Sequence, residues 1–113
     1  MSQAAIPLRH IIELYSTRGH RVLEIVDRSE TVIDLVIQSK SGQKWIARYC
    51  HVGVVDTSNV HALLSTKEVD KAVQVALITD GRVTEEARVM ADGRTIHIAD
   101  QAEFDKYLSL IHI

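Results

Sequence analysis

Apolar residues along this chain change rhythm several times, and each change marks an element. Leu8, Ile11, Ile12 and Tyr15 fall on one stripe at helical spacing, between Pro7, suited to a first turn, and Gly19, suited to a C-cap. Residues 7–19 are therefore predicted to form an amphipathic helix. The segment 21–26, Arg-Val-Leu-Glu-Ile-Val, alternates and is rich in β-branched residues, which predicts a strand ending at the polar break 27–30. Two more strands follow, over 31–38 and 44–50. The link between them, Ser-Lys-Ser-Gly-Gln, is so short that the second must return antiparallel to the first, with Gly42 placed for the left-handed residue of a three-residue loop.

The second half reads differently. Asp56-Thr-Ser-Asn offers an N-cap before a helix over 60–67, packed by Val60, Leu63 and Leu64. Residues 72–79, Ala-Val-Gln-Val-Ala-Leu-Ile-Thr, are almost wholly apolar, as expected of a central strand covered on both faces. Asp80-Gly-Arg-Val is a turn, Thr84 caps a helix over 84–91, and residues 95–99 form a last short strand. Asp100 and Glu103 have the spacing of a capping box opening a final helix through Phe104, Tyr107 and Leu108. The order αβββαβαβα, with antiparallel strands first and crossover helices later, predicts an α/β domain with helices on both faces of a mixed sheet.

A chain of 113 residues without repeats or linkers is expected to be a single domain, residues 1–113. No apolar run approaches the roughly 20 residues of a membrane span, so no membrane partner is expected. The opening Met-Ser-Gln-Ala-Ala-Ile-Pro lacks the features of a signal peptide, and the single cysteine, Cys50, excludes an internal disulfide, which together predict the cytoplasm. A net charge of −2 gives no general support for binding a phosphate backbone, where Lys and Arg must displace counterions.

One phrase goes beyond fold class: a buried strand ending in Ile78-Thr79, a turn, Val83-Thr84-Glu-Glu-Ala-Arg88, a small-residue helix end, then Thr95-Ile-His-Ile-Ala and a closing helix. With Gly19, Val22 and Ile33-Asp34-Leu35, it resembles the Mrr-like branch of the PD-(D/E)xK nuclease superfamily over almost the whole chain. The resemblance implies a restriction-endonuclease-like three-layer α/β/α fold with about five strands. It also implies metal-assisted phosphodiester hydrolysis, in which an aspartate on the second strand and a Glu or Gln on the third hold Mg²⁺, with a lysine two residues further on. A hard divalent ion needs clustered oxygen ligands, and the transition state needs positive charge at the phosphate.

Asp34 occupies the aspartate position, but the third strand reads Arg48-Tyr49-Cys50 where the family reads Gln-x-Lys. Arg48 cannot ligate a metal, and across the hairpin it is expected to face Asp34 and form an ion pair with it. Cys50 is mostly neutral at pH 7. Lys44 is about 20 Å away along an extended strand, at roughly 3.3 Å per residue, and Lys40 lies in the turn, so no migrated lysine takes over. The acidic residue that the resemblance places in helix 1, near Leu8 or Arg9, is also missing. No cofactor is therefore expected; if the domain is active, the ion is Mg²⁺ on Asp34, with Glu30 nearby.

Other candidates have plainer readings. Cys50 and His51 point to opposite faces of a strand and cannot form a dyad; Cys50 is expected to be buried and inert. The 6 histidines show no zinc spacing. Arg82, Arg88 and Arg94, in or near loops after the fourth strand, are the candidate phosphate contacts. Trp45 and Tyr49 share a face and are expected in the core or a dimer contact rather than stacked on bases. The leading expectation is a catalytically degenerate nuclease-fold domain kept for DNA association or protein assembly. The alternatives are an active metal-dependent endonuclease using Asp34, and a homodimerisation module, or a partner of a larger effector, that does not bind DNA.

Overall fold

The computed structural model describes residues 7–94 and 96–111. In chain order the elements are α1 Leu8–Thr17, β1 Arg21–Asp27, β2 Val32–Gln38, β3 Lys44–Cys50, β4 Val54–Val55, α2 Thr57–Val69, β5 Gln74–Thr79, β6 Arg82–Val83, α3 Glu85–Gly93, β7 His97–Ala99 and α4 Gln101–Ile111. The expectations for residues 1–6, Thr95 and His112 lie outside the described residues. No helix among those described is long and apolar enough to cross a membrane.

Local signals act where the sequence places them. Gly19 (φ +86°) follows α1 and Gly42 (φ +87°) closes the β2–β3 loop, both in the left-handed region that a Cβ disfavours. Ser39 N–H bonds Gln43 O at 2.7 Å, so the loop proper is three residues. α2 begins three residues earlier than Val60, because Asp56 takes the Ser58 N–H while the Asn59 side chain takes the Asp56 N–H, satisfying both ends of the first turn. The Asp100 carboxylate likewise accepts the Glu103 N–H at 3.0 Å. β5 starts at Gln74 rather than residue 72, with Ala72 and Val73 in the connection.

The main sheet has the order β1-β2-β3-β5-β7, so the middle position belongs to β3, with β5 beside it. β1, β2 and β3 are antiparallel, and β3, β5 and β7 are parallel. Residues of alternate parity divide the core in two. Ile46, Cys50, Val75, Leu77 and Ile98 pack under α2 and α3, against Val60, Leu63, Ala87 and Ala91. Leu35, Ile37, Ala47, Tyr49, Ile78 and Ala99 pack against Ile11 and Leu14 of α1 and Phe104 of α4. This is the three-layer arrangement with a mixed five-stranded sheet.

The two-residue parallel pair β4–β6 was not foreseeable, since two residues carry no period. It clamps the connections at the C-terminal ends of β3 and β5. There a Cβ on Gly81 would lie 2.0 Å from the Val52 carbonyl oxygen, so only glycine lets the chains approach. Thr79, fully buried, bridges the same place: its hydroxyl donates to Cys50 O at 2.8 Å and accepts the Gly81 N–H at 3.0 Å.

Candidate functional site

The antiparallel register sets Asp34 directly opposite Arg48, on the face covered by α2. Arg48 grips the carboxylate with both arms of its fork: Nε donates to Oδ1 at 2.7 Å and Nη2 to Oδ2 at 2.8 Å. Nη2 also donates to the Thr66 hydroxyl of α2 at 2.8 Å. A second guanidinium arrives from the β1–β2 turn, where Arg28 Nε donates to Asp34 Oδ2 at 2.8 Å and Nη2 to Asp70 Oδ2 at 2.9 Å. Asp34 is 0% exposed and Arg48 6%. Two carboxylates and two guanidiniums form a continuous chain of charge, and this satisfaction lets the inner pair persist in a core.

Such a site does not fit Mg²⁺. Both Asp34 oxygens already take N–H donors, and a fixed cation stands where a ligand would be required. Glu30 is exposed in the turn and bonds no partner at Asp34, where Arg28 has the place beside the carboxylate instead. Among the described residues, no three His, Cys, Asp or Glu side chains converge as metal ligands.

Cys50 lies on the Arg48 face, 1% exposed. Burial pushes its thiol up from 9.0 to about 11, only partly opposed by Arg48. The native thiol is thus protonated at pH 8 and sterically closed. Iodoacetamide at pH 8 should leave the folded protein unmodified and label it rapidly in urea, read by intact mass. Because the folded thiol binds its proton more tightly than the unfolded one, this group makes stability fall as pH rises from about 9 towards 11.

On the opposite face, at the C-terminal ends of β3 and β5, His51 Nδ1 lies 2.5 Å from Asp80 Oδ2, and the Tyr49 hydroxyl donates to the same oxygen at 3.2 Å. By sequence Asp80 is a turn residue. The parallel register, Cys50 beside Thr79, brings it next to His51, and that pairing has no local signal.

The candidate phosphate contacts fall in β6, within α3 and at the C-cap of α3. Arg82 is exposed in β6 and Arg94 follows the last residue of α3. Arg88, between them, is turned to α4, where it bonds Asp100 at 3.0 Å and reaches Glu103 at 3.6 Å. Trp45 and Tyr49 belong to the α1-side core, as expected, although Trp45 is only partly buried.

Comparison with known proteins agrees with this architecture. The family model Mrr_cat, described as restriction endonuclease, matches residues 8–108. Among solved structures, EndoMS in its apo form is similar with a TM-score of 0.64 at 10% sequence identity, a likeness of fold alone. The similarity covers 88% of this chain and 47% of that one, so this chain spans about half of its length. No curated protein matches the sequence.

Proposed function

This chain belongs to the Mrr family of restriction-endonuclease domains in the PD-(D/E)xK superfamily, and on that premise we propose that it is a hydrolytically silent member, holding a partner without cutting nucleic acid. The observation that carries this is the bidentate Arg48–Asp34 pair. Hydrolysis in the family's manner requires a divalent ion on Asp34 and a lysine two residues beyond the second ligand. The first place is taken by a guanidinium, and the second by a protonated, buried thiol.

Between nucleic acid and protein as the partner, the surface favours protein. Net charge is −2, and Arg88 and Arg28 are engaged with carboxylates of this same chain. β1 pairs only with β2 in the described sheet and exposes Leu23 (56%) and Ile25 (49%), an apolar edge suited to a second copy or a larger effector protein.

Supercoiled plasmid incubated with the purified protein and Mg²⁺ or Mn²⁺ should remain intact, and sedimentation velocity should show concentration-dependent self-association insensitive to salt. Metal-dependent nicking that disappears in Asp34→Asn overturns the silent reading. A monomer at all concentrations that retains DNA at low salt moves the partner to nucleic acid.

A further inference from the structure

The hydrogen bonds of β1 fix which of its backbone groups point away from the sheet. Arg28 N–H bonds Val32 O at 2.9 Å, so those two residues face each other as a hydrogen-bonded pair. In an antiparallel ladder such pairs alternate with non-bonded ones. Val26 opposite Asp34 and Glu24 opposite Val36 therefore turn their N–H and C=O groups to β2 as well, while Ile25 and Asp27 turn theirs to the open edge. The ladder shifts by one residue between Val22 and Glu24, and residues 24–27 beyond the shift are regular. Bulges and charges commonly guard an edge strand. Here the regular stretch presents Ile25, 49% exposed, with Leu23, 56% exposed, at the shift.

The two ends of this edge carry opposite charge. Where β1 begins, Arg18 and Arg21 are exposed, joined by Lys40 of the β2–β3 loop, whose N–H bonds the neighbouring His20. Where β1 ends, Asp27 and Glu30 are exposed, and the cation between them, Arg28, is drawn inward to Asp34 and Asp70. Among the described residues neither Arg21 nor Asp27 makes an ion pair within the chain. A strand of the same sequence laid antiparallel on this edge brings the basic start of one copy beside the acidic end of the other, twice over, about a two-fold axis. Laid parallel, it sets like charge on like. The outward-facing residues choose the register. An axis through Val26 sets Ile25 against Asp27 of the second copy, whereas an axis through Ile25 sets Ile25 against itself and joins the outward N–H and C=O groups of the two residues reciprocally.

We propose that β1 pairs antiparallel with β1 of a second copy about a two-fold axis at Ile25, joining the two five-stranded sheets into one. This pairing rests on the proposal that β1 receives a protein partner, and it names that partner as the same chain. Burial of Ile25 and Leu23 and the shared backbone hydrogen bonds supply the affinity. The terminal charges, exposed and individually weak, select the orientation.

Amide exchange followed by NMR at low and high protein concentration reads the pairing directly. The Ile25 amide should exchange rapidly in dilute protein and roughly tenfold more slowly once dimers form, at a concentration that leaves the Val26 amide, already bonded to β2, little changed. Ile25→Lys, at a half-exposed position where substitution leaves the fold intact, should weaken self-association roughly tenfold or more in sedimentation velocity. Arg21→Glu should weaken it a few-fold, and adding Glu30→Lys should recover most of the loss, a rescue that a folding defect would not show. A wild-type dimer that Ile25→Lys does not weaken, or whose Ile25 amide gains no protection, overturns this pairing and leaves a protein partner in place on another surface. A monomer at all concentrations overturns the second copy as partner, and retention of DNA at low salt would then overturn the protein partner as well.

Discussion

Asp34→Ala is expected to cost about 3–5 kcal/mol of stability, the effect of leaving a buried charge without its partner. Arg48 loses both of its hydrogen bonds to the carboxylate and keeps only Thr66, inside a core where it is 6% exposed. Arg28 suffers less, being about a third exposed and still bonded to Asp70. The melting temperature should drop by roughly 10–20 °C, at about 4 °C per kcal/mol for a domain of this size, read by circular dichroism alongside urea unfolding. Removing both charges at once, with Asp34→Leu and Arg48→Met, should recover most of the loss, since apolar replacement of a buried pair is often neutral. A metal ligand in an open site behaves in the opposite way, because deleting it abolishes cleavage with little effect on folding. An unchanged melting temperature in Asp34→Ala would mean that the buried pair contributes nothing.

Phe104→Ala should destabilise by a comparable amount, about 3–5 kcal/mol, through lost transfer energy and the cavity it leaves. Phe104 is 1% exposed and anchors α4 into the cluster built by Ile11, Leu14, Leu35, Ile78 and Ala99. Among the described residues it is the fully buried side chain that the last helix contributes to the third layer, with Tyr107 packed beside the same cluster. Val89→Ala on α3, where the residue is 66% exposed, should stay within about 0.5 kcal/mol and serves as the comparison. Equal losses at the two positions would count against α4 packing on the sheet as described.

The site was partly legible in the sequence. A hairpin whose loop is three residues long fixes which residues face each other, so Asp34 opposite Arg48 follows from Gly42 and the two-residue period of strands. The depth of that pair and its further partners did not follow. Arg28 to Asp70 spans 42 positions, and Arg48 to Thr66 depends on how α2 crosses the sheet. Glu30 was expected near Asp34 because it is close in sequence, yet Arg28, two residues before it in the same turn, delivers the side chain that arrives. The His51–Asp80 contact went unread for the same reason. It assembles from neighbouring strands that are not adjacent in the chain.

The sequence by itself determined the helices, the five strands of the main sheet and the β2–β3 register, because each rests on periods, caps and turns acting within a few residues, while the family showed as a resemblance of phrases along the chain. Only the tertiary structure decided the partners of Asp34, the turning of Arg88 to Asp100 and the meeting of His51 with Asp80. These depend on the parallel pairing of β3, β5 and β7 through crossover helices, where contact is set by packing of the whole core and leaves no local trace.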